Sequence, residues 1–284
     1  MHFIRAEKSR KYGDFHPFYV LDKDIKVRTE VMATKRKTTR LRGGDVYAVE
    51  EYHDGRYGAP GMPRQKKKKP TKEDMQKVND MNKARLCQYR LIQYFTSGDY
   101  FATLTYKASE RPPDMETAKQ HFRKLIRYIR KEYKKRGSTL FWIRNIERGT
   151  KGAWHIHLVI NRIPDTARIL EDAWNYGGIY LTQLKKSKYY SEDFAELAAY
   201  ITKGAHTREK KTDGSEAAPR IKEASYSTSR NMPLPEPRKK KLARWPKEIK
   251  AKKGYYIARI HEGINPKTGY KYRRYTMIRL NRRI

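Results

Sequence analysis

The sequence of 284 residues is poor in cysteine and in acidic residues, with one cysteine, Cys87, and 31 Asp and Glu against 66 Lys and Arg. A single cysteine cannot form an internal disulfide, and it excludes a cysteine-based zinc finger. The shortage of acidic side chains leaves a formal net charge of +35. Lys and Arg that neutralise phosphates release condensed counterions, so a chain this basic is expected to bind nucleic acid.

Long apolar runs are also missing, since no stretch of about 18 apolar residues occurs. The sequence has neither a basic amphipathic helix nor a lipidation signal, so we expect no membrane partner. Residues 1–5 lead into charged sequence without an apolar segment, from which we expect no secretory signal and a cytoplasmic location. Aromatic residues make up 12% of the chain, which argues against full disorder and allows a folded core.

The polarity of the chain divides it into four segments. Residues 1–74 are weakly patterned, apart from a strand-like stretch at 18–21 and a lysine run at 66–69, and we predict a basic N-terminal arm or linker. The lysine run suits either a solvated linker or a clamp for phosphate groups. The other predicted segments are a folded core at 75–205, a polar linker at 206–245, and a C-terminal β-hairpin at 246–284 that packs on or beside the core.

Apolar periodicity and capping residues predict both strands and helices in the core. Thr71 and Asp74 have the spacing of a capping box. Gly149 and Gly152 lie between two strand-like segments, which predicts a hairpin and hence antiparallel pairing. We therefore predict an α+β fold with a central antiparallel β-sheet flanked by helices. The predicted strands are 100–106, 140–147, 154–160 and 178–181, with a second hairpin at 255–260 and 270–278; the predicted helices are 71–97, 114–135, 168–175 and 191–203.

Two histidines on one strand form the sharpest chemical pattern in the sequence. Strand side chains alternate between faces, so His155 and His157 share one face while Ile156 points to the other. Two protonated imidazoles so close together would repel each other, whereas two neutral imidazoles can bind one divalent metal ion. The alternative is that both histidines are structural.

A carboxylate on the neighbouring strand is the candidate third ligand. If the hairpin turns around Lys151, facing residue numbers sum to about 302, which pairs Glu147 with His155 and Asn145 with His157. Facing residues bring their Cβ atoms to about 5 Å. Two histidines and Glu147 would suit Mg²⁺ or Mn²⁺ beside a phosphate group. The alternative for Glu147 is an ordinary carboxylate at a strand end.

Tyr200 is the candidate nucleophile. The predicted helix at 191–203 would bury Phe194, Leu197 and Ile201 and leave Tyr200 beside Lys203 on another stripe. A phenol is a weak nucleophile at neutral pH, and a neighbouring ammonium group favours its phenolate or steadies charge that develops on a phosphate.

The order of these features resembles the HUH endonuclease superfamily, which combines a Thr-rich strand, here 101–106, a His-hydrophobic-His strand, here 155–157, and a helical Tyr-x-x-Lys, here 200–203. More closely, the chain is similar to the rolling-circle replication-associated proteins of bacterial plasmids and phages, which are related to filamentous-phage initiators. This resemblance spans about residues 75–280. It rests on Asn82 and on the segments 98–107, 147–160, 199–204 and 226–231.

The resemblance implies that the core at 75–205 is a metal-dependent HUH nuclease. Such a replication initiator nicks and rejoins single-stranded DNA at an origin, and a 5′-phosphotyrosine links protein to DNA. It implies a single nucleophile here, because the positions four residues to either side of Tyr200 are Glu196 and Gly204. The sequence contains no G-x-x-x-x-G-K-[ST] phosphate-binding loop. We therefore expect a host helicase to unwind the DNA and a host polymerase to extend it.

Basic residues near the predicted site are the candidate contacts for the phosphate backbone. They are Lys107, Arg144, Arg148 and Lys151. Trp142 and Trp154 suit core packing better than base stacking.

Alternatives to this interpretation stay open. A single-Tyr HUH transposase or a relaxase would use the same residues. A non-catalytic basic DNA-binding protein would explain the net charge but not the paired histidines. Tyr189 and Tyr190, just before the predicted helix, are the rival nucleophiles.

Overall fold

The computed structural model describes residues 34–53, 71–207, 218–264 and 271–280. These residues form ten β-strands and four α-helices. The strands are β1 (Thr34–Leu41), β2 (Val46–His53), β3 (Tyr100–Thr105), β4 (Trp142–Gly149), β5 (Trp154–Ile160), β6 (Ile179–Gln183), β7 (Ile221–Thr228), β8 (Arg238–Leu242), β9 (Tyr255–Ile264) and β10 (Lys271–Arg279). The helices are α1 (Lys72–Tyr94), α2 (Met115–Lys135), α3 (Thr166–Ala173) and α4 (Ala195–Ile201).

The strands form two antiparallel sheets of five strands each. The central sheet has the order β6-β3-β5-β4-β7, and the outer sheet has the order β8-β1-β2-β10-β9. The α+β fold and the β4–β5 hairpin are confirmed. The C-terminal hairpin is confirmed as well, since β9 pairs with β10, and it belongs to the outer sheet.

Helices cover both faces of the central sheet. On one face, Phe122 and Ile126 of α2 pack with Ile156 and Leu158 of β5. On the opposite face, α1 and α4 pack with strand residues such as Val159. This arrangement follows from strand alternation, because successive residues of β5 point to opposite faces and each face finds its own helices.

Helix α1 begins as predicted and lies between the two sheets. Its N-cap Thr71 accepts from the Asp74 amide, and the Asp74 carboxylate accepts from the Thr71 amide, each at 3.1 Å. The buried residues of α1 lie in its C-terminal half, and they share one core with strands of both sheets. Three apolar residues in the predicting pattern, Met75, Val78 and Leu86, are exposed. Periodicity therefore predicted the helix but not its buried face.

Four strands fall in segments for which no strand was predicted. Residues 34–53 of the predicted arm contain β1 and β2, and the predicted linker contains β7 and β8. Few apolar residues mark these strands, since β8 reads Arg-Lys-Lys-Lys-Leu and β1 carries four basic residues among eight. Pairing with β2, which supplies Glu50 and Glu51, compensates the charge of β1. The stretches at 18–21, 66–69 and 265–269 lie outside the described residues.

Candidate active site

The predicted register of the β4–β5 hairpin is confirmed. Glu147 faces His155, and Asn145 faces His157. On the other side of β5, Thr103 faces His157. These five side chains therefore share one face of the central sheet, named here the histidine face, which is also the face that α1 and α4 cover.

His157 lies at the centre of this face and is buried. Its Nδ1 is 3.2 Å from Thr103 Oγ1, and its Nε2 is 3.1 Å from Tyr200 Oη. Both contacts are satisfied together when Nδ1–H donates to Thr103 and Nε2 accepts from the Tyr200 hydroxyl. Phe101 stacks on the imidazole at a centroid distance of 5.9 Å. The ring orientation is therefore held by two polar contacts and one aromatic neighbour.

Glu147 is also buried, and its contacts are local. Its Oε1 accepts from Asn145 Nδ2 at 2.8 Å, and its Oε2 lies 3.5 Å from His157 Nε2. Asn145 Nδ2 also donates to the Lys203 carbonyl at 3.0 Å. Asn145 Oδ1 is buried without a hydrogen-bond partner. A buried acceptor of this kind is costly to desolvate, so this part of the site has unused capacity for a donor or a cation.

His155 is stacked near His157, with ring centroids 6.3 Å apart. Burial lowers the pKa of the His155 imidazole below its usual value, and the neighbouring His157 adds to the effect. The neutral imidazole is consequently favoured near neutral pH, and this is the form that can act as a metal ligand.

Helix α4 carries Tyr200 to the histidine face, although the helix is shorter than predicted. The prediction of a helix from 191 to 203 is wrong at its start, because Phe194 has φ +54° and cannot continue a right-handed helix backwards. Asp193 anchors this bend. Its side chain accepts from the Ala195 amide at 3.2 Å and from Arg259 Nε of β9 at 3.0 Å. The predicted burial of Phe194, Leu197 and Ile201 is confirmed.

The ring of Tyr200 is enclosed by aromatic and basic neighbours. Tyr189 stacks on it at a centroid distance of 3.7 Å and an interplanar angle of 17°. Lys203 Nζ lies 4.9 Å from the ring centroid, which confirms that these two side chains adjoin. Phe101 meets the ring edge-on at 6.0 Å. These contacts restrict the rotation of Tyr200, whose hydroxyl points at His157.

The predicted DNA contacts divide into two pairs. Lys107 and Lys151 are exposed, one just beyond β3 and the other in the β4–β5 turn, at the end of the sheet where His155 lies. Arg144 and Arg148 alternate with Asn145 and Glu147 and therefore point away from the histidine face.

The two arginines on the opposite face have partners of their own. Arg144 is buried and donates to Ser225, and burial, with help from Arg123, lowers the pKa of its guanidinium to about 10. Arg148 bonds Glu223 at 3.2 Å and lies over Trp154. Neither is placed to hold a phosphate beside Tyr200. Trp142 and Trp154 pack in the core on that face, as predicted.

The donor groups of the histidine face fit a divalent cation in their chemistry, with two imidazoles, one carboxylate and an unpartnered amide oxygen on adjacent strands. In the described ranges, no group of three or more His, Cys, Asp or Glu side chains is arranged to hold a metal ion. Glu147 and His157 are already neighbours, whereas His155 is parallel to His157 rather than convergent with it.

Three contributors to the site were missed as such from the sequence. Asn145 and Thr103 were not proposed as functional residues, although the hairpin register already placed Asn145 opposite His157. Tyr189 was considered only as a rival nucleophile, and the structure makes it the stacking partner of Tyr200. No periodic signal could have shown this, because Tyr189 precedes α4 in an irregular segment.

Among the described helices, none is both long enough and apolar enough to span a bilayer. No curated protein and no solved structure shows a significant match to the chain. The family model of the replication-associated protein ORF2 and gene 2 protein type matches residues 99–205. The matched range runs from just before β3 to just beyond α4 and contains His155, His157, Glu147, Tyr200 and Lys203. Over this range the chain is similar to replication-associated proteins, which is consistent with a phage or plasmid replication protein that interacts with DNA.

Proposed function

We propose that this chain is a replication initiator that nicks and rejoins single-stranded DNA at an origin, with Tyr200 as the nucleophile. The observation that carries the proposal is the approach of Tyr200 Oη to within 3.1 Å of His157 Nε2, on a sheet face that also holds Glu147 and His155. The net charge of +35 and the family match over 99–205 support a DNA substrate.

The reaction is a transesterification at one phosphodiester. The Tyr200 oxygen forms a bond to phosphorus while the bond from phosphorus to the 3′ oxygen breaks, and the phenolic proton is balanced by protonation of the released 3′ hydroxyl. The products are a 5′-phosphotyrosine and a free 3′ end. Bond energy is conserved, so no ATP is consumed, and the reverse reaction rejoins the strand.

The chain contributes to this step by positioning and by charge. Tyr189 and Phe101 confine the Tyr200 ring, so the hydroxyl meets the phosphate from one direction. Lys203 lies over the same ring and supplies positive charge as the phenolate character of Tyr200 grows. The exposed Lys107 and Lys151 hold the phosphate backbone at that end of the sheet.

His155, His157 and Glu147 would hold a divalent cation, Mg²⁺ or Mn²⁺, and Asn145 Oδ1 offers a further oxygen beside them. When bound, such an ion polarises a phosphoryl oxygen of the substrate. We place the protein in the cytoplasm, where a host helicase and a host polymerase would open and extend the DNA, because this sequence has no nucleotide-hydrolysing motif.

The decisive experiment is to incubate the full chain and Mn²⁺ with the single-stranded DNA of the replicon that encodes it, and to map the adducted residue by mass spectrometry. We expect a 5′-linked adduct on Tyr200 and none in Tyr200→Phe, which keeps the ring and deletes the nucleophile. Lys203→Ala should form the same adduct more slowly. Tyr190→Phe, which alters a nearby tyrosine, is the matched control and should react at the rate of the unmodified chain.

Two results would overturn the assignment. An adduct that persists in Tyr200→Phe, or that maps to Tyr189 or Tyr190, would show that another hydroxyl is the nucleophile. Binding of the DNA without any adduct, with Mg²⁺ or Mn²⁺ present, would favour a non-catalytic DNA-binding protein.

A further inference from the structure

The outer sheet carries a cavity of about 700 Å³ on the face that points away from α1. The cavity lies between strands β1, β2 and β10 and the segment 246–252 that crosses them. Its lining includes Arg36, Tyr47, Lys247, Lys250, Lys252 and Tyr275. We name it the outer cavity. All of its lining residues lie outside the range 99–205 that matches the family model.

The charge of the outer cavity is strongly positive. Four basic side chains line it against one acidic side chain, Glu248. The three lysines are exposed at the rim. Lys252 Nζ is 3.3 Å from Tyr47 Oη and 4.7 Å from the centroid of the Tyr47 ring. A phosphate at this rim would therefore meet several ammonium groups.

The basic surface continues along the edge of the outer sheet. Lys240 of β8 faces Arg36 in the register, and Arg238 faces Thr38, which also lines the cavity. Facing residues of adjacent strands point to the same side of a sheet, so both basic side chains lie on the face that holds the cavity. Both are exposed. A chain of phosphates leaving the cavity would find further cations along this edge.

The floor of the outer cavity is aromatic and apolar. Tyr47 and Tyr275 line it together with Val49 and Met277. The Tyr275 hydroxyl is turned to the buried Glu51, at 3.4 Å, so its ring is fixed from below. Flat aromatic surfaces next to cationic rims are the arrangement with which proteins bind single-stranded nucleic acid, since bases stack and phosphates pair with cations.

We propose that the outer cavity binds one nucleotide of a DNA strand, with its base against Tyr47 and Tyr275 and its phosphates on Lys247, Lys250 and Lys252. The choice of DNA as the source of the nucleotide rests on the proposed function. The cavity is a second binding site, on a different sheet from the histidine face, and it holds the strand while another part of the strand reaches Tyr200.

The first test measures binding in a Tyr200→Phe background, where no covalent adduct complicates the result. Anisotropy of a labelled single-stranded 20-mer of mixed sequence is followed over a series of salt concentrations. In Lys247→Gln/Lys250→Gln/Lys252→Gln, the slope of log K against log salt should fall by about 2, since each phosphate contact on a single strand contributes about 0.7. The matched control, Lys124→Gln/Lys131→Gln/Lys134→Gln, removes the same charge from the exposed side of α2.

Equal slopes in the two triple variants would overturn the proposal. Equal slopes would not touch the proposed function, which is tested by adduct formation on Tyr200. The converse also holds, because a chain that forms no adduct can still lose its salt slope in the cavity variant. Both triple variants change only exposed lysines, so folding is preserved and can be checked by circular dichroism.

The second test separates a nucleotide within DNA from a free nucleotide. An oligonucleotide that contains 5-iodouracil is irradiated with the chain, and the crosslinked residues are mapped by mass spectrometry. We expect crosslinks to Tyr47 or Tyr275, and we expect free 5-iododeoxyuridine monophosphate to need at least about a 100-fold higher concentration, because it lacks the neighbouring phosphates. Crosslinks confined to the histidine face, or equally efficient labelling by the free nucleotide, would contradict a strand-binding cavity.

Discussion

Two buried glutamates, one in each sheet, have opposite surroundings. Glu51 of the outer sheet is 0% exposed, pairs with Arg36 and with Arg273, each at 2.6 Å, and accepts from Tyr275. Glu147 of the central sheet is 9% exposed and contacts Asn145 and His157. Within the described ranges, no Lys or Arg forms an ion pair with Glu147.

The difference separates a carboxylate that stabilises from one that is available. Burial of an uncompensated charge is costly, and Glu51 is compensated by two guanidinium groups within the fold. Glu147 keeps its compensation incomplete, in a chain with more than twice as many basic as acidic residues. A cation from outside the chain would complete it. The family match covers four strands of the central sheet and none of the outer sheet, which agrees with chemistry on the central sheet.

The largest expected effect comes from removing an imidazole of the histidine face. His157→Ala or His155→Ala should slow adduct formation by about 10³-fold or more, while affinity for the DNA strand stays within about twofold, because binding comes from many separate basic contacts. Glu147→Gln should give an intermediate rate. Single-turnover cleavage and anisotropy measure the two quantities, and His261→Ala in the outer sheet is the control. Parallel loss of binding and cleavage would show that the histidines are structural.

The comparison predicts a different result for the outer sheet. Glu51→Gln leaves Arg273 buried without its carboxylate, so the free energy of unfolding should fall by about 3–5 kcal/mol. Glu262→Gln is the matched control, since Glu262 pairs with the same Arg273 at 3.5 Å but is 59% exposed, and it should cost less than about 1 kcal/mol. Urea unfolding measures both values. Adduct formation per folded molecule should be unchanged in Glu51→Gln, and a specific loss of activity would break the division of roles.

The smallest expected effect concerns the ring that stacks on Tyr200. Tyr189→Ala removes the stacked surface and should slow adduct formation by about tenfold, because Tyr200 then samples more orientations. Tyr189→Phe keeps the ring and should restore the rate. A rate that depends on the Tyr189 hydroxyl instead, with Tyr189→Phe as slow as Tyr189→Ala, would assign this residue a chemical role rather than a positioning role.

Much of the histidine face could be predicted because it depends on local geometry. The β4–β5 pairing followed from a short turn between two strands, and the pairing of Glu147 with His155 follows from that register alone. The same alternation places Arg144 and Arg148 on the opposite face. Their removal from the expected DNA contacts is therefore a correction that the sequence already contained.

The outer sheet could not be predicted in the same way. Strands β1 and β8 carry so many basic residues that no apolar alternation is visible, and they are joined only by pairing between distant parts of the chain. Likewise, nothing in the local sequence indicates that Arg259 of β9 anchors Asp193 at the start of α4. These contacts bring together residues far apart in sequence, and periodicity reports only neighbours along the chain.

By itself, the sequence determined the charge, the α+β class, the helices α1 and α2, and the shared face of His155, His157 and Glu147, because each depends on composition or on the spacing of side chains along one element or one hairpin. Only the tertiary structure decided that Tyr200 meets His157, that Tyr189 covers Tyr200, and that a second sheet closes over α1 with a basic cavity on its far side. Those features arise from packing between distant segments, where buried area and charge compensation, rather than local pattern, select the partners.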